Sequence, residues 1–201
     1  MIAIIDYNLG NIGSVQNIIT KVGYESIITN NIDDILRADK LILPGVGSFD
    51  NGIINLKSLK LIEPLTKKVL IEKTPILGIC LGMQLFCKNS GEGQLPGLNF
   101  IDAEVINFNC APLKIPHMGW NTINIIKKSK LYNHLEINSR FYFVHSYYLN
   151  CNDTSDILTT TTYGYDFVSS IERENIFGCQ FHPEKSHKYG VQLIKNFIEL
   201  I

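Results

Sequence analysis

The chain of 201 residues, 45% of them hydrophobic, is long enough to bury a sizeable core and reads as one domain over 1–201. A formal net charge of −1 excludes the strongly basic surfaces that hold nucleic acid or anionic membranes. No stretch approaches the roughly 18 apolar residues of a membrane span, and the first residues lack the basic region of a secretory signal, so the expected setting is the cytoplasm.

Met1 to Ile5 is a nearly continuous apolar run, as in a strand covered on both faces. Asn11 is placed to cap a following helix whose Val15, Ile18, Ile19 and Val22 share one face. Glu25–Thr29 and Lys40–Leu43 read as the next two strands, and Pro44-Gly45-Val46-Gly47 as a tight loop. Leu61, Leu65 and Val69 mark a helix with Pro64 in its first turn, and a further strand runs into Cys80. This βαβαβ order predicts a parallel sheet with helices on both sides. The second half reads as short strands at 98–108, 121–126, 140–144, 157–162, 167–171 and 176–181, then a closing helix through Val191, Ile194, Ile198 and Ile201. The whole is expected to be a mixed, mostly parallel sheet with added antiparallel strands. The Asn- and Lys-rich stretch 127–138 is expected to be a solvated excursion.

The chemistry concentrates at Gly78-Ile79-Cys80-Leu81-Gly82, where a buried strand turns sharply into a helix. This is the nucleophile elbow, with Cys in place of Ser. The turn forces strained dihedrals on the central residue and crowds its neighbours, so glycines flank it. The helix that follows is expected to favour a thiolate at its N-terminus, and the Leu81 N–H lies where an oxyanion would form. The five cysteines (80, 87, 110, 151 and 179) include no Cys-x-x-Cys, which argues against a disulfide framework or a zinc site; no metal or cofactor is expected.

A cysteine nucleophile needs a base, and the base an orienter. Of the five histidines, His182 follows a strand and so lies at the sheet edge that carries Cys80. Pro183 stiffens its link to Glu184, whose carboxylate can hold one imidazole nitrogen and leave the other facing the thiol. Gly10-Asn11-Ile12-Gly13 lacks the full glycine pattern of a dinucleotide site and is discounted.

Gly78–Gln84 together with His182-Pro183-Glu184 resembles the class I (triad) glutamine amidotransferase family, and the likeness runs from Asp6 to the last helix. Pro44–Gly47, Pro116–Asn121, Phe143–Tyr147 and His182–Ser186 narrow it to subunits that pass ammonia to a separate partner. The resemblance implies a three-layer, flavodoxin-like α/β fold and hydrolysis of L-glutamine. It implies Cys80 as nucleophile, His182 as proton shuttle and Glu184 as its orienter. It places the oxyanion donors at the N–H groups of Val46 and Leu81, and substrate contacts at Gly45, Gly47, Gln84, Ser146 and Tyr147. Trp120 and Lys185 would face a (β/α)8-barrel cyclase partner in a heterodimer, with Asn8 and Asn11 linking that contact to the oxyanion loop. A paralogous branch feeds ammonia to sugar amidotransferases instead, and Asn89–Gly93 and Ser186–Gly190 resemble it. Two further alternatives are a non-catalytic binding subunit, opposed by the intact Cys80, His182 and Glu184, and a cysteine peptidase, opposed by the Pro44–Gly47 and Pro116–Asn121 loops.

Overall fold

The computed structural model describes residues 1–136 and 138–201. Its first half is β1 (Ile2–Ile5), α1 (Ile12–Lys21), β2 (Ser26–Thr29), α2 (Ile32–Arg37), β3 (Lys40–Gly45), α3 (Phe49–Ser58), α4 (Ile62–Thr66), β4 (Ile76–Cys80) and the single turn α5 (Leu81–Gln84). The second half is β5 (Asn89–Ser90), β6 (Ala103–Asn107), β7 (His117–Thr122), β8 (Asn124–Ile125), β9 (Arg140–His145), β10 (Tyr147–Cys151), β11 (Ile157–Tyr163), β12 (Tyr165–Arg173), β13 (Ile176–Cys179) and α6 (His187–Leu200).

The central strands run parallel in the order β2-β1-β3-β4-β13, and β12, β10 and β6 extend one edge antiparallel. β7 and β9 form a separate antiparallel ribbon. Alternation along β1 puts Ala3 and Ile5 in one core and Ile2 and Ile4 in the other, so both faces are covered. Ile35, Phe49, Ile53 and Leu65 bring α2, α3 and α4 onto the first face; Val15, Ile19, Leu193 and Phe197 bring α1 and α6 onto the second. Each fully buried Leu, Ile or Phe here contributes about 1.5–3 kcal/mol. The three-layer arrangement and the mixed sheet are those expected.

Several local expectations change. The Asn11 side chain makes no capping bond; its backbone carbonyl starts α1 by accepting from Ser14 and Val15. Asn31 is the side-chain cap instead, accepting from Asp33 and Asp34 N–H at 2.8 and 3.3 Å ahead of α2. The helix expected around Leu61–Val69 is α4 continued by a wider π-type turn over Lys67–Ile71. The strand expected at 98–108 is confined to β6, and that at 121–126 divides between the end of β7 and β8. The stretch 127–138 is not simply solvated: Leu131 and Tyr132 are buried, and the Asn196 amide donates to the carbonyls of Leu131 (3.0 Å) and Asn133 (2.7 Å). Ile137 lies outside the described residues.

Candidate active site

Three neighbouring parallel strands deliver the reactive groups. Gly45, Cys80 and His182 stand at or just beyond the carboxyl ends of β3, β4 and β13, and the register pairs Gly45 directly with Cys80. Cys80 adopts φ 54°, ψ −111°, a region that L residues avoid. Its neighbours hold it there, at a strain of about 1–3 kcal/mol. A Cβ on Gly82 would run into the Leu43 carbonyl, so that position admits only hydrogen. The expected helix after Cys80 is the single turn α5, too short for a large dipole. Leu81 is its first residue, so its N–H has no intrahelical acceptor and is free for an oxyanion.

His182 is almost fully buried, and its Nδ1 bonds Glu184 Oε1 at 2.8 Å. Three bonds fix its backbone: its N–H donates to Tyr142 O (2.9 Å), its carbonyl accepts from Ser186 Oγ (2.6 Å), and that Oγ accepts from Tyr142 N–H (3.0 Å). Among the described residues, the buried Nε2 has no conventional partner, and neither has the second Glu184 oxygen. Burial opposes charge on the ring. The Cys80 sulfur and the Glu184 carboxylate outweigh it and push the His182 pKa up to about 10. These two neighbours thus favour the protonated ring, the form that can give a proton to a leaving group.

A pocket of about 320 Å³ opens over Cys80, lined by Val46, Gly47, Leu81, Gln84, Glu92, His145, Ser146 and Tyr147 among others. Of the expected substrate contacts only Gly45 is not among its lining residues; it lies behind, against Tyr7 and Leu81. Gly47 sits at φ +115°, and a would-be Cβ would make only an ordinary contact with Leu9, so its backbone rather than its packing calls for glycine. The Gln84 amide nitrogen donates to Tyr147 O (3.2 Å) and Gln180 Oε1 (3.0 Å), leaving its oxygen to offer the pocket. The Ser146 and Tyr147 carbonyls are already in use, accepting from Phe108 N–H and from the Gln84 amide and His145 ring respectively.

Trp120 and Lys185 come together beside the triad. Trp120 is half exposed, stacks on His187 with rings 5.1 Å apart and 3° from parallel, and meets Tyr142 edge-on. Lys185 Nζ lies 5.8 Å from the Tyr142 ring centre. Asn8 and Asn11 are exposed on the β1–α1 loop; the Asn8 N–H bonds Asp6 Oδ1 at 3.1 Å within its own turn.

Sequence reasoning missed Glu92, which lines the pocket while one oxygen accepts from Phe49 N–H at 2.8 Å. It also missed a pair of buried histidines. His145 Nδ1 donates to Tyr147 O (2.8 Å), so its Nε2 accepts from His117 Nδ1 (3.0 Å), and His117 Nε2 faces the Asn121 amide (3.3 Å). Burial holds both rings neutral, with His145 down at about 3 and His117 at about 4. Gln180 was passed over as well, although the period-two alternation at the exit of β13 puts it on the same side as His182.

Fold, elbow and buried His–Glu pair define a glutamine amidotransferase. The family model described as "Glutamine amidotransferase class-I" matches residues 3–200, and the chain belongs to that family. Within it the relatives are HisH subunits. The chain is 57% identical over 200 residues to imidazole glycerol phosphate synthase subunit HisH 2 of Methanococcus maripaludis, covering 99% of each. It is 50% identical to subunit HisH 1 of Campylobacter jejuni over the full length of both. Its fold is similar to a chain in the structure of PurLQS from Thermotoga maritima, with TM-score 0.77, 16% identity and coverage of 98% and 96%.

Proposed function

We propose that Cys80, His182 and Glu184 carry the glutaminase reaction of a HisH-type subunit of imidazole glycerol phosphate synthase. The supporting observation is the strained Cys80 at the end of β4, with a buried imidazole on its neighbour strand held by Glu184 at 2.8 Å. The Cys80 thiolate attacks the side-chain amide carbon of L-glutamine. A C–S bond forms and the carbonyl electron pair moves to oxygen, where the N–H groups of Leu81 and Val46 receive it. Collapse breaks the C–N bond, and the leaving nitrogen takes the His182 proton and departs as ammonia. His182 then accepts a proton from water, whose oxygen attacks the thioester, releasing glutamate and the thiolate. The Gln84 oxygen and the Gly47, Ser146 and Tyr147 backbone position the substrate, and the Glu92 carboxylate suits its α-ammonium group. Ammonia passes to a (β/α)8-barrel, HisF-like cyclase docked over Trp120 and Lys185.

The test uses a glutamine-mimicking diazo ketone together with Cys80→Ala. Peptide mapping is expected to place the label on Cys80, and the variant to lose glutamine hydrolysis while the complex still turns over with added ammonia. A label mainly on Cys87, Cys110, Cys151 or Cys179 would overturn the assignment, as would loss of the ammonia-dependent reaction in Cys80→Ala.

A further inference from the structure

We propose that Gln180 is a further catalytic residue: its side-chain N–H donates to the Cys80 sulfur and stabilises the thiolate for attack. The proposal rests on Cys80 being the nucleophile and adds a donor to that site.

Gln180 is fully buried, and its Nε2 lies 3.6 Å from Cys80 Sγ. An amide can usually be turned over, exchanging donor and acceptor ends. Here a backbone carbonyl removes the choice. Tyr147 O can only accept, so the end of Gln84 against it at 3.2 Å is the NH2 group. That same NH2 meets Gln180 at 3.0 Å, so the Gln180 end facing it is the oxygen. The Gln180 NH2 is thereby aimed at the sulfur. A second bond on the same carbonyl, from His145 Nδ1 at 2.8 Å, holds the Tyr147 peptide in place. The Gln84 NH2 thus donates two ways, anchored by Tyr147 O on one side, and the run Gln84→Gln180→Cys80 donates in one direction, with its last proton at the atom that gains negative charge. Gln180 is not part of the pocket lining, so substrate binding does not depend on its contact.

The other titratable groups around the sulfur are His182 and, through it, Glu184 beyond β13, with Tyr7 from the end of β1 and Cys179 from β13. Burial raises Tyr7 and Cys179 well above their ordinary values, so both stay uncharged near neutral pH. The midpoint read by alkylation therefore belongs to the neighbouring His182 as well as to the thiol.

The experiment follows alkylation of Cys80 by iodoacetamide against pH in the full-length chain, read by peptide mapping, in wild type, Gln180→Met and Gln180→Glu. Methionine keeps the volume and removes the donor. Glutamate keeps the oxygen that accepts from Gln84 and puts a carboxylate against the sulfur. The alkylation midpoint is expected to rise by about one unit in Gln180→Met, with kcat for glutamine down about tenfold, as for loss of one hydrogen bond to a charged group. Gln180→Glu is expected to shift further in the same direction, and the Michaelis constant to change little in either. A folded Gln180→Met with the wild-type midpoint overturns the proposal, as does a Gln180→Glu midpoint at or below that of Gln180→Met. If instead Cys80 in wild type takes no label from the glutamine analogue, the reading of the nucleophile itself has failed.

Discussion

The oxyanion role proposed for the Gly45–Gly47 loop can be tested at Gly47. A Cβ there would meet Leu9 Cδ2 at 3.7 Å, an ordinary contact, so Gly47→Val introduces no collision. It introduces backbone strain, because φ is +115° and a β-branched residue is held there at about 1–3 kcal/mol. The strain has two outlets. If the Val46–Gly47 segment rotates to relieve it, the Val46 N–H leaves the developing charge, and loss of one such donor lowers kcat by about a hundred- to a thousandfold. If the loop keeps its shape, stability drops by the strain itself. Steady-state glutamine hydrolysis is measured with saturating cyclase and its acceptor ligand, alongside denaturant unfolding, for wild type, Gly47→Ala and Gly47→Val. The expected result is a graded fall in kcat/KM from wild type through Gly47→Ala to Gly47→Val, because Val46 and Gly47 themselves line the pocket. A Gly47→Val protein with both wild-type kcat/KM and wild-type stability would refute the reasoning, since the strain would then have gone nowhere.

Acid stability reports on the buried histidine pair. Both rings stay neutral in the fold down to about pH 3–4, whereas in the unfolded chain they take up protons near the ordinary value of about 6.5. The unfolded state therefore binds more protons in that window, and stability falls as pH drops from about 6.5 to about 4, by about 3 kcal/mol for His117 alone. Denaturant unfolding at pH 7 and pH 4.5 is expected to show a smaller loss in His117→Gln than in wild type; equal losses would count against the assignment. At the docking patch, Lys185→Ala is expected to uncouple the two activities, raising ammonia leaked per product formed with little change in glutamine hydrolysis. Unchanged leakage, or no complex with a cyclase of the same genome, would count against the placement of the partner.

The elbow was legible because part of its constraint is local: Gly78 must lack a Cβ against the Met83 backbone five residues on, and that requirement is written in the sequence as glycine. His182 and Glu184 were legible because Pro183 fixes their spacing across two residues. The helix α3 was not, since Gly52, Asn51 and Asn55 weaken its intrinsic preference, and burial of Phe49, Ile53 and Leu56 decides it. Asn11 misled because a residue suited to cap through its side chain can equally start a helix through its carbonyl. Gln180 carries the pattern of a site residue, but its role depends on Gln84 and Tyr147, which meet it only across the folded sheet.

The separation of the β7–β9 ribbon from the main sheet bears on how such a subunit changes allegiance. Gly45 and Cys80 close β3 and β4, and the proposed base His182 follows just beyond β13, strands in which each neighbour constrains the next. Trp120 and Tyr142 ride on the ribbon, which ties to the catalytic loop through the Tyr142 backbone and to the pocket through His145. Exposed positions of the ribbon, such as Met118 and Trp120, can drift toward a new docking surface without moving the nucleophile. On the proposed docking, the exposed face of the ribbon would set the recipient of the nitrogen, and the strand ends its release.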